Sequence, residues 1–490
     1  MKRISPWFFC VWFVSTPALA GEAADERAHS WHRWRGPLAN GVAPYGNPPV
    51  EWDEQTNIKW KVEIPGLGNS TPIIWNNQIF ILTAIKTDRT AEATAQTASK
   101  PTEQQQEREA APPERRSTER EADRPEGASD EPRRRSRRRR GGRRRRGPPP
   151  KNIYQFVVMS IDRATGNVNW KRTANEQVPH EGFRQGDNSF ASGSPTTDGR
   201  YLYASFGSYG IYCYDLEGEP IWQRDLGDMR TRNSFGEGAS PTLHGDRLIV
   251  NWDHEGDSFI VSLDAKTGDT RWKVSRDEPS SWATPLVIEH QERTQVIVNG
   301  TNRVRSYDLA NGEVIWECGG QTVNVIPTPV ASDGIVVCMT GFRGSAIFAI
   351  PLDATGDLTG SDKLAWYHDG TTPYRPGSPY TPSPLLDGNL LYFLKSNNPI
   401  VSCLMFKSGE VVFDNQRLQG LRGVYASPVA AAEHIYIVGR NGTTAVLKRG
   451  DQFELLATNV LDDPIDASPA VVGNELFLRS KQQLYCIASE

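Results

Sequence analysis

Short apolar segments separated by polar turns recur along most of the chain. Within one unit, a short strand follows a Ser/Thr-Pro pair, and a polar turn such as Asp198-Gly199 leads into a strand rich in aromatic and β-branched residues. A third apolar strand ends near an aspartate, and the next turn carries a glycine that permits a positive φ. Tryptophan follows that glycine by four residues, as at Gly166 and Trp170. The pattern predicts consecutive antiparallel strands.

The Ser/Thr-Pro pair marks a repeat that runs through the chain. Its prolines are Pro72, Pro195, Pro241, Pro285, Pro329, Pro384, Pro428 and Pro469. From Pro195 onward the consecutive spacings are 46, 44, 44, 55, 44 and 41 residues. A period in this range with four short strands per unit is typical of a β-propeller. The sequence therefore predicts an all-β fold, an eight-bladed β-propeller of four-stranded antiparallel blades.

The eighth unit ends before its outer strand, and an earlier segment can supply that strand. We expect "NIKWKVEI" (57–64) to complete the last blade, which closes the ring and removes an open sheet edge. The propeller then spans residues 57–490, with an N-terminal extension over 21–56. The regularly placed aromatics are expected to pack between blades. They are Trp170, Trp222, Trp272, Trp316, Trp366 and Phe413.

The first unit is interrupted by residues 87–151, which are rich in Glu, Gln, Pro, Ala and Arg. This composition predicts a long disordered insertion in blade one. Residues 91–150 contain 17 Lys/Arg against 11 Asp/Glu, whereas the rest of the chain contains 38 against 48. Because the basic run lies in an otherwise acidic protein, we expect no specific nucleic acid partner. The alternatives are a salt-screened tether for acidic surface polymers and a polyanion site formed by the run itself.

The N-terminus has the features of a secretory signal peptide over residues 1–20. Lys2 and Arg3 precede the apolar run "WFFCVWFV", and "ALA" precedes Gly21. We therefore expect an exported, periplasmic or extracellular protein whose mature chain has no transmembrane segment; an uncleaved anchor is the alternative. Five cysteines remain after cleavage, and their odd number without CxxC spacing favours single buried thiols over disulfides, zinc or c-type haem.

Three segments carry a family resemblance: "SIDRATGNVNW", "SLDAKTGDTRW" and "SYDLANGEVIW". They resemble pyrroloquinoline-quinone-like (PQQ-like) repeats of quinoprotein alcohol dehydrogenases and of the outer-membrane β-barrel assembly lipoprotein, over roughly residues 57–487. The head "WHRWRGPLANGV" is similar to secreted bacterial propellers of unassigned activity. Catalytic members of the resembling family hold PQQ over calcium and commonly have two adjacent cysteines. This chain has no adjacent cysteine pair, and the lipidated cysteine of the assembly lipoprotein is also missing.

The resemblance therefore implies two alternatives. The first is a non-catalytic binding or scaffold protein, expected to be monomeric, whose loop face binds a protein or a polar, anionic ligand. The second is a PQQ-dependent oxidoreductase with PQQ and calcium as cofactors. The loop face is the one formed by the loops between second and third strands and between consecutive blades. It includes the long inter-blade loops "FRQGDNSF" (183–190) and "MRTRNSFGEG" (229–238).

Ligand-binding candidates lie in these loops, where function concentrates on a rigid scaffold. They are Arg303, Arg343, Arg422, Arg440, Arg479, Asn397, Asn441 and Trp252. If the arginines, which come from five blades, converge near the axis, they would bind an anion by bidentate contacts. The alternative is that each arginine pairs with Asp or Glu of a neighbouring blade or stays solvated.

The loop "DHEGD" (253–257) is the best acidic cluster of the chain. Asp253, Glu255 and Asp257, with His254, are candidates for a metal site or a general base. The alternative is an ordinary polar loop.

Overall fold

Eight antiparallel sheets surround a central axis in this computed structural model, which describes residues 25–91, 149–369, 371–372 and 377–489. Each sheet contains four strands in the order predicted for a blade, and two sheets gain a short fifth strand. The eight-bladed, four-stranded β-propeller is thereby confirmed. No helix among the described residues has the length and apolar character needed to cross a membrane.

The strands of each blade are given from the axis outward. Blade one contains β3 (Ile73–Trp75), β4 (Gln78–Thr90), β5 (Asn152–Asp162) and β6 (Val168–Gln177), and blade two contains β7 (Thr196–Thr197), β8 (Tyr201–Ser205), β9 (Ile211–Asp215) and β10 (Pro220–Arg224). Blade three contains β11 (Thr242–His244), β12 (Arg247–Trp252), β13 (Phe259–Asp264) and β14 (Thr270–Ser275), and blade four contains β15 (Leu286–His290), β16 (Arg293–Val298), β17 (Arg303–Asp308) and β18 (Val314–Gly319), with β22 (Gly356–Asp357) added outside.

Blade five contains β19 (Val330–Ser332), β20 (Ile335–Thr340), β21 (Ala346–Pro351) and β23 (Trp366–His368), and blade six contains β24 (Leu385–Asp387), β25 (Leu390–Leu394), β26 (Ile400–Met405) and β27 (Val411–Arg417). Blade seven contains β28 (Val429–Ala431), β29 (His434–Val438), β30 (Thr443–Lys448) and β31 (Leu455–Val460), with β1 (Val42–Ala43) added inside. Blade eight contains β32 (Ala470–Val472), β33 (Glu475–Arg479), β34 (Gln483–Ile487) and β2 (Ile58–Glu63). Two short 3₁₀ helices lie at Gly207–Tyr209 and Arg232–Ser234.

The ring is closed by β2, as predicted. This N-terminal strand pairs antiparallel with β34 from Ile58 opposite Ile487 to Glu63 opposite Gln483, and so becomes the outer strand of blade eight. First and last parts of the propeller are thus joined in one sheet. The chain cannot open at this seam without breaking that pairing.

Most of the repeated tryptophans pack between blades, also as predicted. The indole N–H of Trp170 donates to the Leu216 carbonyl of the next blade at 2.9 Å, and its ring covers Gly218. That glycine has φ +85°, so any side chain there would be strained and would meet the indole. Equivalent bonds are made by Trp60, Trp222, Trp272 and Trp366. Trp316 differs, because its indole donates to Gln295 within its own blade.

The Ser/Thr-Pro residues form a hydrogen-bonded ring around the axis. The backbone N–H of one residue donates to the hydroxyl of the corresponding residue in the next blade, at 2.8–3.1 Å. The six donor–acceptor pairs are Thr71–Ser194, Ser194–Ser240, Ser240–Thr284, Thr328–Ser383, Ser383–Ser427 and Ser427–Ser468. Because each bond joins neighbouring blades, this hydroxyl ring fixes the spacing of the inner strands.

The N-terminal extension fills the axis, which sequence reasoning missed. Residues 31–43, the axial segment, touch the inner strands of blades on opposite sides of the ring. The backbone of Trp31 forms a β-bridge with Ile74, the backbone carbonyl of His32 accepts the N–H of Thr197, and β1 pairs parallel with β28. Burial lowers the pKa of His32 to about 3, so the imidazole is neutral. The axial segment therefore blocks the channel that an empty propeller would have.

Arg35 is the most heavily engaged side chain of the axial segment. It is 2 % exposed, and its guanidinium donates to the carbonyls of Pro428 at 2.8 Å, Pro384 at 2.5 Å and Asn40 at 3.0 Å. Burial without a carboxylate partner lowers its pKa to about 9. The side chain thus supplies hydrogen-bond donors to the carbonyls of two residues, Pro384 and Pro428, that directly precede the inner strands of blades six and seven.

The insertion lies where the sequence predicted. Strands β4 and β5 pair from Gln78 opposite Asp162 to Thr90 opposite Asn152, so residues 92–148 separate the second and third strands of blade one. Strand β4 continues to Thr90, beyond the predicted start of the insertion at 87. The predicted disorder concerns residues that are mostly outside the described ones, and the predicted signal peptide (1–20) lies wholly outside them.

Replacing Arg35 by alanine is expected to destabilise the propeller by about 2–4 kcal/mol, because it leaves buried carbonyls without donors. The measurement is the free energy of unfolding in urea. Arg293→Ala, at an exposed position on β16, is the control and should change little. Equal stability of the two variants would contradict the role given to Arg35.

Candidate functional site

A chamber of about 200 Å³ opens on the axis at the loop face, above the axial segment. Its lining combines hydroxyls of the ring with aromatic rings and two carboxylates. The hydroxyl residues are Ser240, Thr284, Thr328, Ser383, Ser427 and Ser468, the aromatics Trp34, Phe235, Trp282, Tyr380 and Tyr425, and the carboxylates Asp187 and Asp466. The indole N–H of Trp34 donates to the Thr328 hydroxyl at 3.1 Å, which ties the axial segment to the chamber.

A larger vestibule of about 780 Å³ adjoins this chamber. The two cavities share Arg184 and Phe235, so they form one funnel with a wide outer and a narrow inner part. The vestibule is lined by residues of blade one, of the loops that follow blades one, two and four, and of the loop between β20 and β21 in blade five. Its aromatic residues are Tyr154, Phe183, Phe235 and Phe342, and its charged residues are Lys86, Arg184, Arg232 and Arg343.

The vestibule is positively charged. Among the described residues, its lining includes four cations and no Asp or Glu. Arg184 is paired with Asp187 at 2.5 Å, whereas Lys86, Arg232 and Arg343 form no ion pair with the described residues. Arg343 also holds a left-handed backbone, with φ +56°. Cations without counter-ions in a concave site attract anions, since the surrounding protein focuses the field.

An ion-pair network crosses the funnel beside the chamber. The Arg440 guanidinium donates to Asp466 at 2.6 Å and to Asp187 at 3.2 Å, and it stacks 3.8 Å above the Tyr425 ring. Lys481 also contacts Asp466, at 2.6 Å. Asp187 belongs to the loop after blade one, whereas Arg440 belongs to blade seven. The network therefore anchors the loop 182–187 to blade seven.

The predicted arginines do not form one cluster. Arg343 lines the vestibule, and Arg440 lies in the network just described. Arg303 is instead neutralised at the outer edge of blade four, by Glu317 at 3.0 Å and Asp357 at 2.9 Å. Arg479 is 2 % exposed inside blade eight, where it donates to the Ser70 hydroxyl. Burial lowers the pKa of Arg479 to about 9.

The remaining candidates support the loops. Asn441 Oδ1 accepts the backbone N–H of Arg422 at 2.9 Å, while the Arg422 side chain is exposed. Asn397 Oδ1 accepts the N–H of Thr381, a chamber residue, at 2.9 Å. Trp252 is 2 % exposed and stacks on Phe259 in the core. These positions shape the funnel wall or the blades and do not face the vestibule.

The acidic loop does not converge on a metal. Asp253 is buried and receives two bonds from Arg276, at 2.7 and 3.0 Å. Glu255 accepts the N–H and hydroxyl of Ser280, and Asp257 is exposed. Residues 25–91, 149–369, 371–372 and 377–489 hold no group of three or more His, Cys, Asp or Glu side chains suited to a metal ion. Because Arg276 pairs with Asp253 and Ser280 donates to Glu255, these two carboxylates are already engaged, and a metal role for this loop stays a prediction.

Glu237 is a carboxyl group that the sequence did not single out. It lines a cavity of about 30 Å³ that shares Gly238 and Trp282 with the chamber. Burial raises the pKa of Glu237 to about 7, although the Ser208 N–H at 2.8 Å and hydroxyl at 2.5 Å favour the ionised form. The group therefore changes charge near neutral pH.

Sequence reasoning also missed Arg184, Arg232 and Trp34. The first two lie in the inter-blade loops 183–190 and 229–238, which were assigned to the loop face without naming those arginines. Trp34 lies in "WHRWRGPLANGV", which carried a resemblance but no expected position on the axis. A useful signal was the length of those loops, since short turns do not reach the axis.

A family model described as "Outer membrane protein assembly factor BamB" (PQQ_2) matches residues 155–415. This range covers more than half of the chain. The chain belongs to the PQQ_2 family. The resemblance to PQQ-like repeats is thus confirmed.

This PQQ_2-family propeller is also similar to several dehydrogenases. It is 33 % identical over 70 residues to the lanthanide-dependent methanol dehydrogenase of Methylorubrum extorquens, a match that covers 13 % of this chain and only 12 % of that enzyme. The quinohemoprotein alcohol dehydrogenase of Comamonas testosteroni is similar in structure, with 8 % identity, TM-score 0.56, and 96 % of this chain and 85 % of the other covered. A europium-containing methanol dehydrogenase gives 8 % identity, TM-score 0.57, and 96 % and 100 % coverage. The structural likenesses show the shared fold alone.

The funnel does not fit a calcium-held quinone. The chamber carboxylates Asp187 and Asp466 are both bound by Arg440, so neither is free to hold a divalent cation. Cys213, Cys318, Cys338, Cys403 and Cys486 are buried single thiols and none lines the chamber. The donors required by the family's catalytic members are thus not brought together by the described residues.

Removing the Arg440 side chain is expected to free the loop 182–187. Arg440→Ala leaves Tyr425 without its cation and removes the bond from blade seven to Asp187, while Asp187 keeps Arg184 and Asp466 keeps Lys481. We expect a loss of about 1–2 kcal/mol in stability and about tenfold faster amide exchange confined to that loop. Hydrogen exchange with mass spectrometry measures this. The control is Arg422→Ala, an exposed neighbour; similar exchange in both variants would refute the anchoring role.

The raised pKa of Glu237 predicts a pH dependence of stability. The folded protein holds this proton from the ordinary pKa of 4.5 up to about 7, whereas the unfolded chain releases it. Stability therefore falls, by up to about 3 kcal/mol, as pH rises through this window, and the loss levels off above pH 7. Glu237→Gln should remove that part of the fall in a melting series. Exposed Glu313→Gln is the matched control, and an unchanged profile in Glu237→Gln would exclude this assignment.

Proposed function

We propose that this PQQ_2-family propeller is an exported binding protein that takes an anionic polar ligand into its loop-face funnel. The role is one of recognition, with no covalent step by the chain's own residues. The N-terminal signal features support export, and the family membership is consistent with a binding platform. Because fold alone does not give a ligand, the proposal depends on the chemistry of the funnel.

One observation carries the proposal: in the part of the chain that the structure describes, the vestibule is lined by cationic side chains and by no carboxylate. Lys86, Arg232 and Arg343 are unpaired within the described residues, and Arg184 reaches both parts of the funnel. Unpaired guanidinium groups provide forked donors that match carboxylate, sulfate or phosphate oxygens. The net charge of the whole chain is −4, so this positive vestibule is a local feature.

The shape of the site favours a ligand that enters the protein. The vestibule is concave and rimmed by aromatic residues, and a second chamber lies deeper on the axis. Tyr154, Phe183 and Phe342 supply apolar faces beside the cations. Pockets with an apolar wall and a few directed polar groups are typical of small-molecule or single-chain ligands. A flat protein partner would leave the deeper chamber without contacts.

Neutralising the vestibule is expected to weaken binding of anions. In the double variant Arg232→Ala/Arg343→Ala, two unpaired cations are lost, and we expect the Kd for a carboxylated oligosaccharide such as oligogalacturonate to rise at least about tenfold. Wild-type affinity should also fall with added salt, since the attraction is screened. Isothermal titration calorimetry measures both effects.

Two controls locate the binding. Arg293→Ala/Arg417→Ala removes two exposed arginines outside the funnel and should leave the Kd unchanged. A variant lacking residues 92–148 distinguishes the funnel from the arginine-rich insertion. The proposal is wrong if vestibule neutralisation has no effect, or if deleting the insertion alone abolishes binding.

A further inference from the structure

The hydroxyl ring at the base of the funnel retains hydrogen-bond donors that nothing among the described residues uses. Ser383, Ser427 and Ser468 each accept a backbone N–H, which occupies an acceptor site of the oxygen and leaves its own O–H group. These side chains belong to residues only 1–5 % exposed, and all three line the chamber. A buried hydroxyl without an acceptor is costly, so the chamber is built for something that accepts hydrogen bonds.

The same chamber also presents acceptors. Asp466 lies in its wall with a 2 % exposed side chain, and Asp187 lines the chamber as well. Arg440, Arg184 and Lys481 pair with these two carboxylates, so the chamber is less cationic than the vestibule. A free anion placed here would meet two carboxylates. A neutral group with several hydroxyls can instead accept from the ring and donate to the carboxylates.

Aromatic faces complete the chamber. Trp282 and Tyr425 line it on different sides, and Trp34 lies at its base. A sugar ring combines flat apolar C–H faces with hydroxyls at its edge, which suits aromatic walls and polar corners together. The volume of about 200 Å³ suits one monosaccharide unit and not a longer segment. An aliphatic ligand would leave the ring hydroxyls without hydrogen-bond acceptors.

We propose that the funnel binds an acidic oligosaccharide end-on, with a neutral terminal sugar in the chamber and the acid group of the following unit in the vestibule. Arg184 and Phe235, which line both cavities, mark the boundary between the two subsites. This inference rests on the proposed function and specifies its ligand class. It predicts recognition of chain ends and of the order in which neutral and acidic sugars follow one another.

The chain offers two matched steric variants. Gly238 lines the chamber, has no positive φ, and a Cβ there would meet Trp282 at 3.6 Å, an ordinary contact. Gly182 lines the vestibule under the same conditions, with Pro150 at 4.0 Å. Gly238→Leu therefore fills the inner subsite and Gly182→Leu narrows the outer one, with little backbone strain in either. Gly238→Ala is the milder substitute should Gly238→Leu fail to fold.

The probes are a uronate disaccharide capped by a neutral hexose, digalacturonate, and the corresponding neutral disaccharide. Calorimetry is performed on the full chain, and tryptophan fluorescence in wild type and Trp282→Phe reports occupation of the chamber. We expect the capped uronate to bind at least about tenfold more tightly than either other probe. Gly238→Leu should remove that preference while digalacturonate binding persists. Quenching by the capped uronate should be smaller in Trp282→Phe.

The outcomes separate the two proposals. If digalacturonate binds as tightly as the capped uronate, or if Gly238→Leu leaves the preference intact, the end-on inference is overturned while anion binding stands. If neither acidic probe binds, or Arg232→Ala/Arg343→Ala does not weaken them, the proposed function itself fails. If the neutral disaccharide binds as well as the capped uronate, the chamber is a sugar site and the anionic ligand class is wrong.

Discussion

The bond from one Ser/Thr-Pro residue to the next is the interaction on which the structure depends. Each inner strand follows such a residue, and in six of the eight blades the hydroxyl there accepts the N–H of its counterpart in the preceding blade. The following proline has no N–H, so it makes no competing donation, and its fixed φ directs the chain into the inner strand. One short motif thus sets the blade spacing and the funnel base together. The oxygens that hold the blades in register are also the oxygens that line the chamber.

The axial segment turns this ring into a closed-bottomed site. A propeller without it would have a channel along the axis, whereas Trp31, His32 and Arg35 occupy that space. Arg35 is costly to bury, as its lowered pKa shows, and the carbonyls of blades six and seven compensate through direct hydrogen bonds. Trp34 then faces the loop side and bonds to Thr328 in the ring. The depth of the site is consequently determined by a segment outside the repeats.

Charge is distributed between the two parts of the funnel by loops of unequal length. The long connections after blades one and two reach over the axis and bring Arg184 and Arg232 to the vestibule, while the repeat-derived ring below remains neutral. Arg440 of blade seven pairs with the chamber carboxylates of Asp187 and Asp466. A strongly positive outer cavity above a balanced, hydroxyl-rich inner one follows from this arrangement. The arginine-rich run lies between two strands of one blade, and it is not needed to explain this distribution of charge in the funnel.

The sequence by itself determined the fold class, the blade number, the closing strand and the packing role of the repeated tryptophans, because a periodic pattern reports local structure repeated many times. It also located the loop face and two residues of the funnel, Arg343 and Arg440. It did not show that Arg303 and Arg479 are consumed by pairing or burial, that Arg276 neutralises Asp253, or that residues 31–43 fill the axis. Those outcomes depend on which side chains meet in three dimensions, at sequence separations from 14 residues for Arg303 and Glu317 to 409 for Arg479 and Ser70. Only the closed tertiary structure brings such partners together, and a single sequence carries no periodic signal for contacts that occur once.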